Sequence, residues 1–177
     1  MRSRLALLTP STLRRARRVF ALTQAIAREI AEEYGTPIER IDVVSPAVDP
    51  VFQPDHSAAS LDAVKDRYHL PKEFVLYTGA LQPRKNLTRM ATAFARLAEK
   101  GLPHALVIAG RRAWLHNGML KDIERLKLGD RIHFTGYIEQ ADLPCLYASA
   151  SAFVYVSIYE GFGLPVLEAL ASGTPVL

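Results

Sequence analysis

Three short apolar runs that each end in glycine limit what this chain can fold into more than any other feature. They are FVLYTG, ALVIAG and RIHFTG, rich in β-branched and aromatic residues and closing at Gly79, Gly110 and Gly136. Their separations, 31 and 26 residues, leave room for a loop and a returning helix, which a parallel connection requires. Helical spacing fills the gaps. Leu87, Met90, Phe94 and Leu97 recur at threes and fours, and Leu115, Leu120, Ile123 and Leu126 do so less regularly. Beyond Gly136 the pattern predicts a helix over Ala141 to Ser149, a strand AFVYVS, a helix over Gly163 to Ser172 and the start of another strand over Thr174 to Leu177.

Runs that are apolar on both faces and alternate with amphipathic helices define the fold class as α/β: a Rossmann-like parallel sheet with helices on both faces and right-handed crossovers. Ligands of such sheets bind beyond the carboxyl ends of the strands, where the strand order reverses. A glycine there lets the backbone approach a ligand, and it is equally the ordinary way to turn a strand into a loop. Upstream, Ser11 to Arg17 reads as a helical turn and Val19 to Leu22 as a short strand. Thr23 reads as the N-cap of a helix with Ile26, Ile30 and Tyr34 on one face, stopped by Gly35 and Pro37. IDVVSP reads as a strand of about four residues. The Pro-rich PAVDPVFQPD, ending near Asp55, is the best candidate for an interdomain hinge. The expected division is therefore residues 1–50, the incomplete end of one domain with its hinge, and residues 51–177, the α/β domain. A last element, PVL, with no helix to cover it looks unfinished, so the chain is expected to be part of a longer protein.

With 177 residues, 49% apolar and 23% charged, the chain is long enough for one ordinary core, and disorder, collagen and a disulfide scaffold are excluded. The single Cys145, in DLPCLYAS, reads as a buried small hydrophobe in a reducing compartment. The net charge of +4 is local: Arg2, Arg4, Arg14, Arg15, Arg17 and Arg18 precede any acid, and the other 159 residues carry 16 basic and 18 acidic side chains. With no aromatic platform interleaved, this arm suits an anionic membrane surface or a solvated helix face at least as well as a nucleic acid, and no nucleic-acid partner is expected. No run reaches the ~18 apolar residues that cross a bilayer, and Leu5 to Leu8 is too short for an export signal. The expected location is cytoplasmic, with peripheral contact at the inner membrane face through the arm.

Two clusters at strand ends carry chemistry. In GALQPRKNL, following Gly79, Arg84 and Lys85 lie directly before a helix that opens near Asn86. Two cations beside the free N–H groups of a helix N-terminus suit a phosphate or diphosphate. The plainer alternative is a solvated loop with Asn86 as N-cap. In YEGFGLPVLEA, Gly161 and Gly163 give a turn with exposed N–H groups, and Pro165 fits the first helical turn. Glu160 lies in the turn and Glu168 one to two helical turns in, so both carboxylates can face one cleft and accept hydrogen bonds from sugar or ribose hydroxyls. The alternatives are a solvent-facing helix residue for Glu168 and a favourable helix-start charge for Glu160. There is no D-x-D and no histidine cluster at ligand spacing, so no metal is expected. His104, His116 and His133 read as surface or strand residues.

EGFGLPVLEALASGTPVL resembles the E-x7-E signature of the retaining glycosyltransferases of family 4, which have the two-Rossmann GT-B fold. GALQPRKNLTRMATAFARL resembles that family's phosphate-binding segment, and LVIAG, RIHFTGYI and DLPCLYASASAFVYVSIYEGFG follow in the family's order. The resemblance implies the C-terminal, donor-binding half of a GT-B fold, truncated at both ends, with residues 51–177 holding a nucleotide-sugar. By motif position it implies Arg84 and Lys85 at the diphosphate, after the Gly79 turn. Glu160 and the backbone of Gly161, Phe162 and Gly163 would meet the transferred sugar, Leu164 a phosphate through its amide, Glu168 the ribose, and Tyr137 and Ile138 the base. It also implies metal-independent transfer of a hexose, with mannose one candidate, from a GDP- or UDP-hexose to a glycan or lipid-linked acceptor. Three departures stand out: Ala80 where many members have Arg, Pro46, Ala47, Val48 and Asp49 in place of Asn-Gly-Val-Asp, and Val156 where Pro is common. The alternatives are an epimerase or phosphorylase on the same scaffold, and a non-catalytic nucleotide-binding module or inactive remnant.

Overall fold

The computed structural model of the chain describes residues 2–111 and 116–177, and among these every side chain except those of residues 2–7, 116 and 117. Leu115 and the side chain of His116 thus lie outside the described residues. The chain divides into two compact units, Met1–Ala47 with Gly161–Gly163, and Val48–Glu160 with Leu164–Leu177.

The first unit contains α1 (Arg2–Arg15), β1 (Val19–Ala21), α2 (Gln24–Tyr34) and β2 (Ile41–Val43). β1 and β2 pair in parallel, Val19 opposite Ile41. As read from the sequence, the Thr23 hydroxyl caps α2 by accepting from the Ile26 N–H at 3.1 Å, and Gly35 ends it at φ +64°. Ala21, Ala27 and Ile41 form its small core. The turn expected over Ser11 to Arg17 is instead the end of a helix that starts at Arg2 and continues through Pro10. The Leu- and Arg-rich run favours helix strongly enough to absorb the bond that Pro10 cannot donate. Arg18 is not a free arm residue: it grips both carboxylate oxygens of Asp42 and donates to the Glu39 carbonyl.

The second unit contains α3 (Ala58–Arg67), β3 (Phe74–Thr78), α4 (Leu87–Glu99), β4 (Ala105–Ala109), α5 (His116–Glu124), β5 (Ile132–Gly136), α6 (Leu143–Ser149), β6 (Ala152–Phe153) and α7 (Leu164–Ala171). Its sheet has the order β5-β4-β3-β6, every pair parallel. Side chains alternate across it with period two. Phe74, Leu76, Val107 and Ala109 pack on one face with Val64, Leu146, Tyr147 and Ala169. Tyr77, Leu106 and Ile108 pack on the other with Leu87, Met90, Phe94 and Ile123. Burial on both faces is why these strands read as continuous apolar runs. Cys145 is buried in the first of these layers, and burial raises its thiol, as expected of an unreactive packing residue.

The sequence reading missed α3, which Ser57 caps by accepting from the Ser60 N–H. Three expected strands are shorter: β2 has three residues, β6 ends at Phe153, and Thr174 to Leu177 contributes one parallel bridge, Phe153 to Val176. α6 begins at Leu143 after a tight turn over Gln140–Asp142, and α7 runs Leu164–Ala171. Leu97, expected on the buried face of α4, is half exposed.

Candidate functional site

The chain lays down β3, β4 and β5 in one direction, then returns to place β6 on the other side of β3. The order therefore reverses at β3 and β6, and the loops after those two strands carry the cationic and acidic residues picked out in the sequence. Backbone and side-chain bonds stitch the loops together. The Ile158 N–H donates to the Arg84 carbonyl at 2.9 Å, and Arg84 Nη1 donates to the Tyr159 carbonyl at 3.1 Å. Asn86 takes a left-handed conformation, φ +60°, and makes no capping bond with its side chain. Its Nδ2 donates to the Val156 carbonyl instead, at 3.2 Å. The expected N-cap is thus a cross-loop brace, because a left-handed residue cannot aim its side chain at the first helical amides.

Glu160 lies between the two cations: Arg84 Nη1 to Oε2 is 2.7 Å and Lys85 Nζ to Oε1 is 2.5 Å. Lys85 is buried, with its ammonium 5.6 Å from the centre of the Tyr155 ring. Burial pushes the Glu160 carboxyl up, but the hydrogen bonds from Lys85 and Arg84 outweigh it and hold the group at about 2. Close by, the Tyr77 hydroxyl is buried with no hydrogen-bond partner among the described residues, and burial together with the Glu160 charge raises it.

Beside this cluster the strand ends open into a cleft of about 360 Å³. Gly79, Gly110, Tyr137 and Ile138 line it, and Glu168 and Tyr147 line it from α7 and α6. Glu168 Oε2 accepts from the Tyr147 hydroxyl at 2.8 Å; burial raises the carboxyl, and that hydrogen bond opposes the rise in part. Glu168 is therefore a cleft residue of α7 and not a solvent-facing one. Leu164 is partly exposed at the start of α7, and Gly161, Phe162 and Gly163 group with the first unit.

Three residues at or near these strand ends had not been singled out. Arg111 lines it with its guanidinium 4.1 Å from the centre of the Tyr137 ring, so Arg84 and Lys85 are not the only cations at these strand ends. Its position directly after the Gly110 turn was the available signal. Tyr147 and Tyr155 lie in apolar stretches and meet their partners only through the fold, and no local pattern marks them. His133 sits in β5 with Nε2 2.9 Å from the Tyr68 carbonyl. Among the described residues no group of three or more His, Cys, Asp or Glu side chains could hold a metal ion, and no helix is long and apolar enough to cross a membrane.

The chain belongs to the family of glycosyl transferases group 1, whose family model matches residues 63–177. It is 34% identical over 164 residues to the O-antigen chain mannosyltransferase B of Escherichia coli, covering 92% of this chain and 43% of that one. Anabaena HepE, solved in complex with UDP-glucose, superposes with a TM-score of 0.81 at 22% identity, over 98% of this chain and 48% of that one. The C-terminal domain of a group 1 glycosyl transferase, LpcC, from Francisella tularensis superposes with a TM-score of 0.62 at 26% identity, over 73% and 69%. The α/β fold is that of a GT-B C-terminal domain. The chain spans less than half the length of the first two relatives.

Proposed function

We propose that residues 51–177 form the donor-binding domain of a retaining hexosyltransferase, and residues 1–50 the end of a preceding domain with its hinge. The observation that carries this reading is the grip of Arg84 and Lys85 on Glu160 at the strand-order switch. A pair of cations already holding a carboxylate is an anion site with an internal guest. A diphosphate, carrying more charge, takes the cations over and frees Glu160 to face the transferred sugar. As the sugar–phosphate bond breaks, charge grows on the leaving diphosphate, where Arg84, Lys85 and the N-terminus of α4 stabilise it. Glu168 accepts from the ribose, and Tyr137 and Ile138 flank the base. Gly161, Phe162 and Gly163 are assigned to the sugar, and the Leu164 amide to a phosphate, by motif position.

The mannosyltransferase named for the Escherichia coli relative supports mannose as the sugar, and the UDP-glucose complex of HepE supports a nucleotide-sugar donor. The acceptor on this reading is a glycan or lipid-linked glycan. The exposed Arg14, Arg15 and Arg17 favour an anionic membrane face close to such an acceptor.

Calorimetric titration with GDP, UDP and ADP, each with and without a hexose, tests the reading. GDP or UDP is expected to bind, and Lys85→Ala to weaken it by roughly tenfold or more, the loss typical of a charge-assisted contact. Binding that survives the substitution unchanged overturns the phosphate assignment. Nucleotide binding with no transfer by the full-length protein favours a non-catalytic module.

A further inference from the structure

We propose that Tyr147 is a positioning residue of the nucleotide site: its buried hydroxyl, at the centre of a chain running from Thr78 through Tyr147 to Glu168, orients the Glu168 carboxylate toward a ribose diol. This rests on the donor-site reading above and adds to it two residues, Thr78 and Tyr147, that touch no substrate.

The geometry is specific. Tyr147 is fully buried, its ring edge-on to Phe52 at 5.8 Å and to Phe153 at 5.3 Å, and its carbonyl accepts from the Thr174 hydroxyl at 2.6 Å. Ring and backbone are thus held independently of the hydroxyl. That hydroxyl lies 2.8 Å from Glu168 Oε2 and 2.7 Å from Thr78 Oγ1. An ionised carboxylate only accepts, so the single phenolic proton goes to Glu168, and the Thr78 hydroxyl must then donate to the Tyr147 oxygen. Two hydroxyls aligned in one direction polarise each other and fix one carboxylate oxygen.

The other oxygen is the functional one. Tyr147 engages Oε2 alone, and Glu168 lines the cleft, where Oε1 is the oxygen left for a ligand on this proposal. Satisfying the buried Tyr147 hydroxyl does not require a carboxylate, because Thr78 alone provides a partner. Burial raises the Glu168 carboxyl, and the Tyr147 hydrogen bond opposes the rise by stabilising the charged form. Vicinal hydroxyls suit such an acceptor only if its rotamer is set beforehand, and Thr78, the last residue of β3, ties that rotamer to the strand that opens the Gly79 turn.

The test is calorimetry on the full chain with GDP and UDP and with their 2′,3′-dideoxy counterparts, in wild type, Tyr147→Phe and Thr78→Val. Tyr147→Phe removes only the hydroxyl, and Thr78→Val exchanges one for a methyl group of similar size. Wild type is expected to prefer the diol form. Tyr147→Phe should weaken the diol form by roughly tenfold and leave the dideoxy form unchanged, with the same pattern, smaller, for Thr78→Val. Retained dideoxy affinity reports an intact fold in the same experiment. Equal loss for both forms means that the hydroxyl serves packing, and no loss means that it orients nothing; either overturns the proposal while the wild-type diol preference still stands. A wild type that binds no nucleotide, or does not distinguish the diol, overturns the donor-site reading and this one together.

Discussion

On the proposed reading, Glu160 and a donor diphosphate compete for Arg84 and Lys85, which both grip the carboxylate in the structure. Glu160→Gln removes the competitor's charge and keeps its shape. A partly exposed ion pair is worth on the order of 1 kcal/mol, so GDP affinity is expected to rise several-fold by calorimetry. Transfer by the full-length protein should fall by about a hundredfold or more, because the group facing the sugar is lost. Weaker GDP binding in this variant would mean that Glu160 supports the cations instead of occupying them. Gly110 makes a different point at the same scale. A Cβ there would lie 1.9 Å from the Gly79 carbonyl oxygen, and the Gly110 N–H donates to the Gly136 carbonyl at 2.8 Å. Gly110 is therefore held to glycine by close backbone approach, whereas an added Cβ at Gly136 would meet nothing. Gly110→Ala should cost about 3 kcal/mol, the upper part of the overpacking range, read as a lower urea midpoint at unchanged slope.

At the level of elements, what the sequence made legible was what repeats. β3, β4 and β5 stood out because burial on both faces leaves an unbroken apolar run bounded by glycine, and α4 because Leu87, Met90 and Phe94 share its buried face. α3 escaped because it follows a stretch punctuated by proline and buries Val64 alone among its ten residues. Its role is tertiary. Arg67 donates to both oxygens of Asp142 at 2.9 and 2.7 Å, and the Tyr68 hydroxyl, just past α3, donates to Asp142 at 2.7 Å while accepting from the Glu139 N–H at 3.1 Å. These bonds pin the turn that follows Tyr137 and Ile138, and no spacing rule links positions some seventy residues apart. Of the candidate site, Arg84 and Lys85 were legible as charge in the loop after a strand-end glycine, and Glu160 and Glu168 as carboxylates spaced across a glycine turn and the helix it opens. Thr78, Tyr147 and Tyr155 were not, since a buried hydroxyl reads as part of an apolar run until its partner is in place. Tyr68→Phe deletes two bonds of the α3 anchor and should cost about 1 to 2 kcal/mol by urea denaturation. It should also weaken nucleotide binding more than pyrophosphate binding, because the turn it releases leads from the proposed base-side residues and not from the cations.

For the molecule as a whole, the two carboxylates of the signature respond to pH with opposite signs. Glu160 is held at about 2 when folded, below its ordinary value near 4.5. It therefore stabilises the fold at every pH above that ordinary value, and the contribution drains away as pH falls toward 2. Glu168 is raised when folded. Its burial costs nothing below the ordinary carboxyl range, where it is protonated in both states, and the cost grows as pH rises through the folded value and then stays. Neutral pH is thus where Glu160 contributes fully, whereas Glu168 detracts once pH exceeds its raised folded value. Glu168→Gln keeps the side-chain shape and an oxygen to accept from Tyr147 while removing the buried charge. It should melt higher than wild type at neutral pH, with the gain shrinking as pH is lowered and gone below the ordinary carboxyl range. Over the same range it should bind GDP more weakly than wild type and lose the preference for the ribose diol. A variant that gains stability only where it loses the diol is the signature of a charge kept in the cleft for a ligand. A variant destabilised at pH 7, with diol preference intact, would identify Glu168 as part of the structural frame of α6 and α7 and leave the ribose without a protein acceptor.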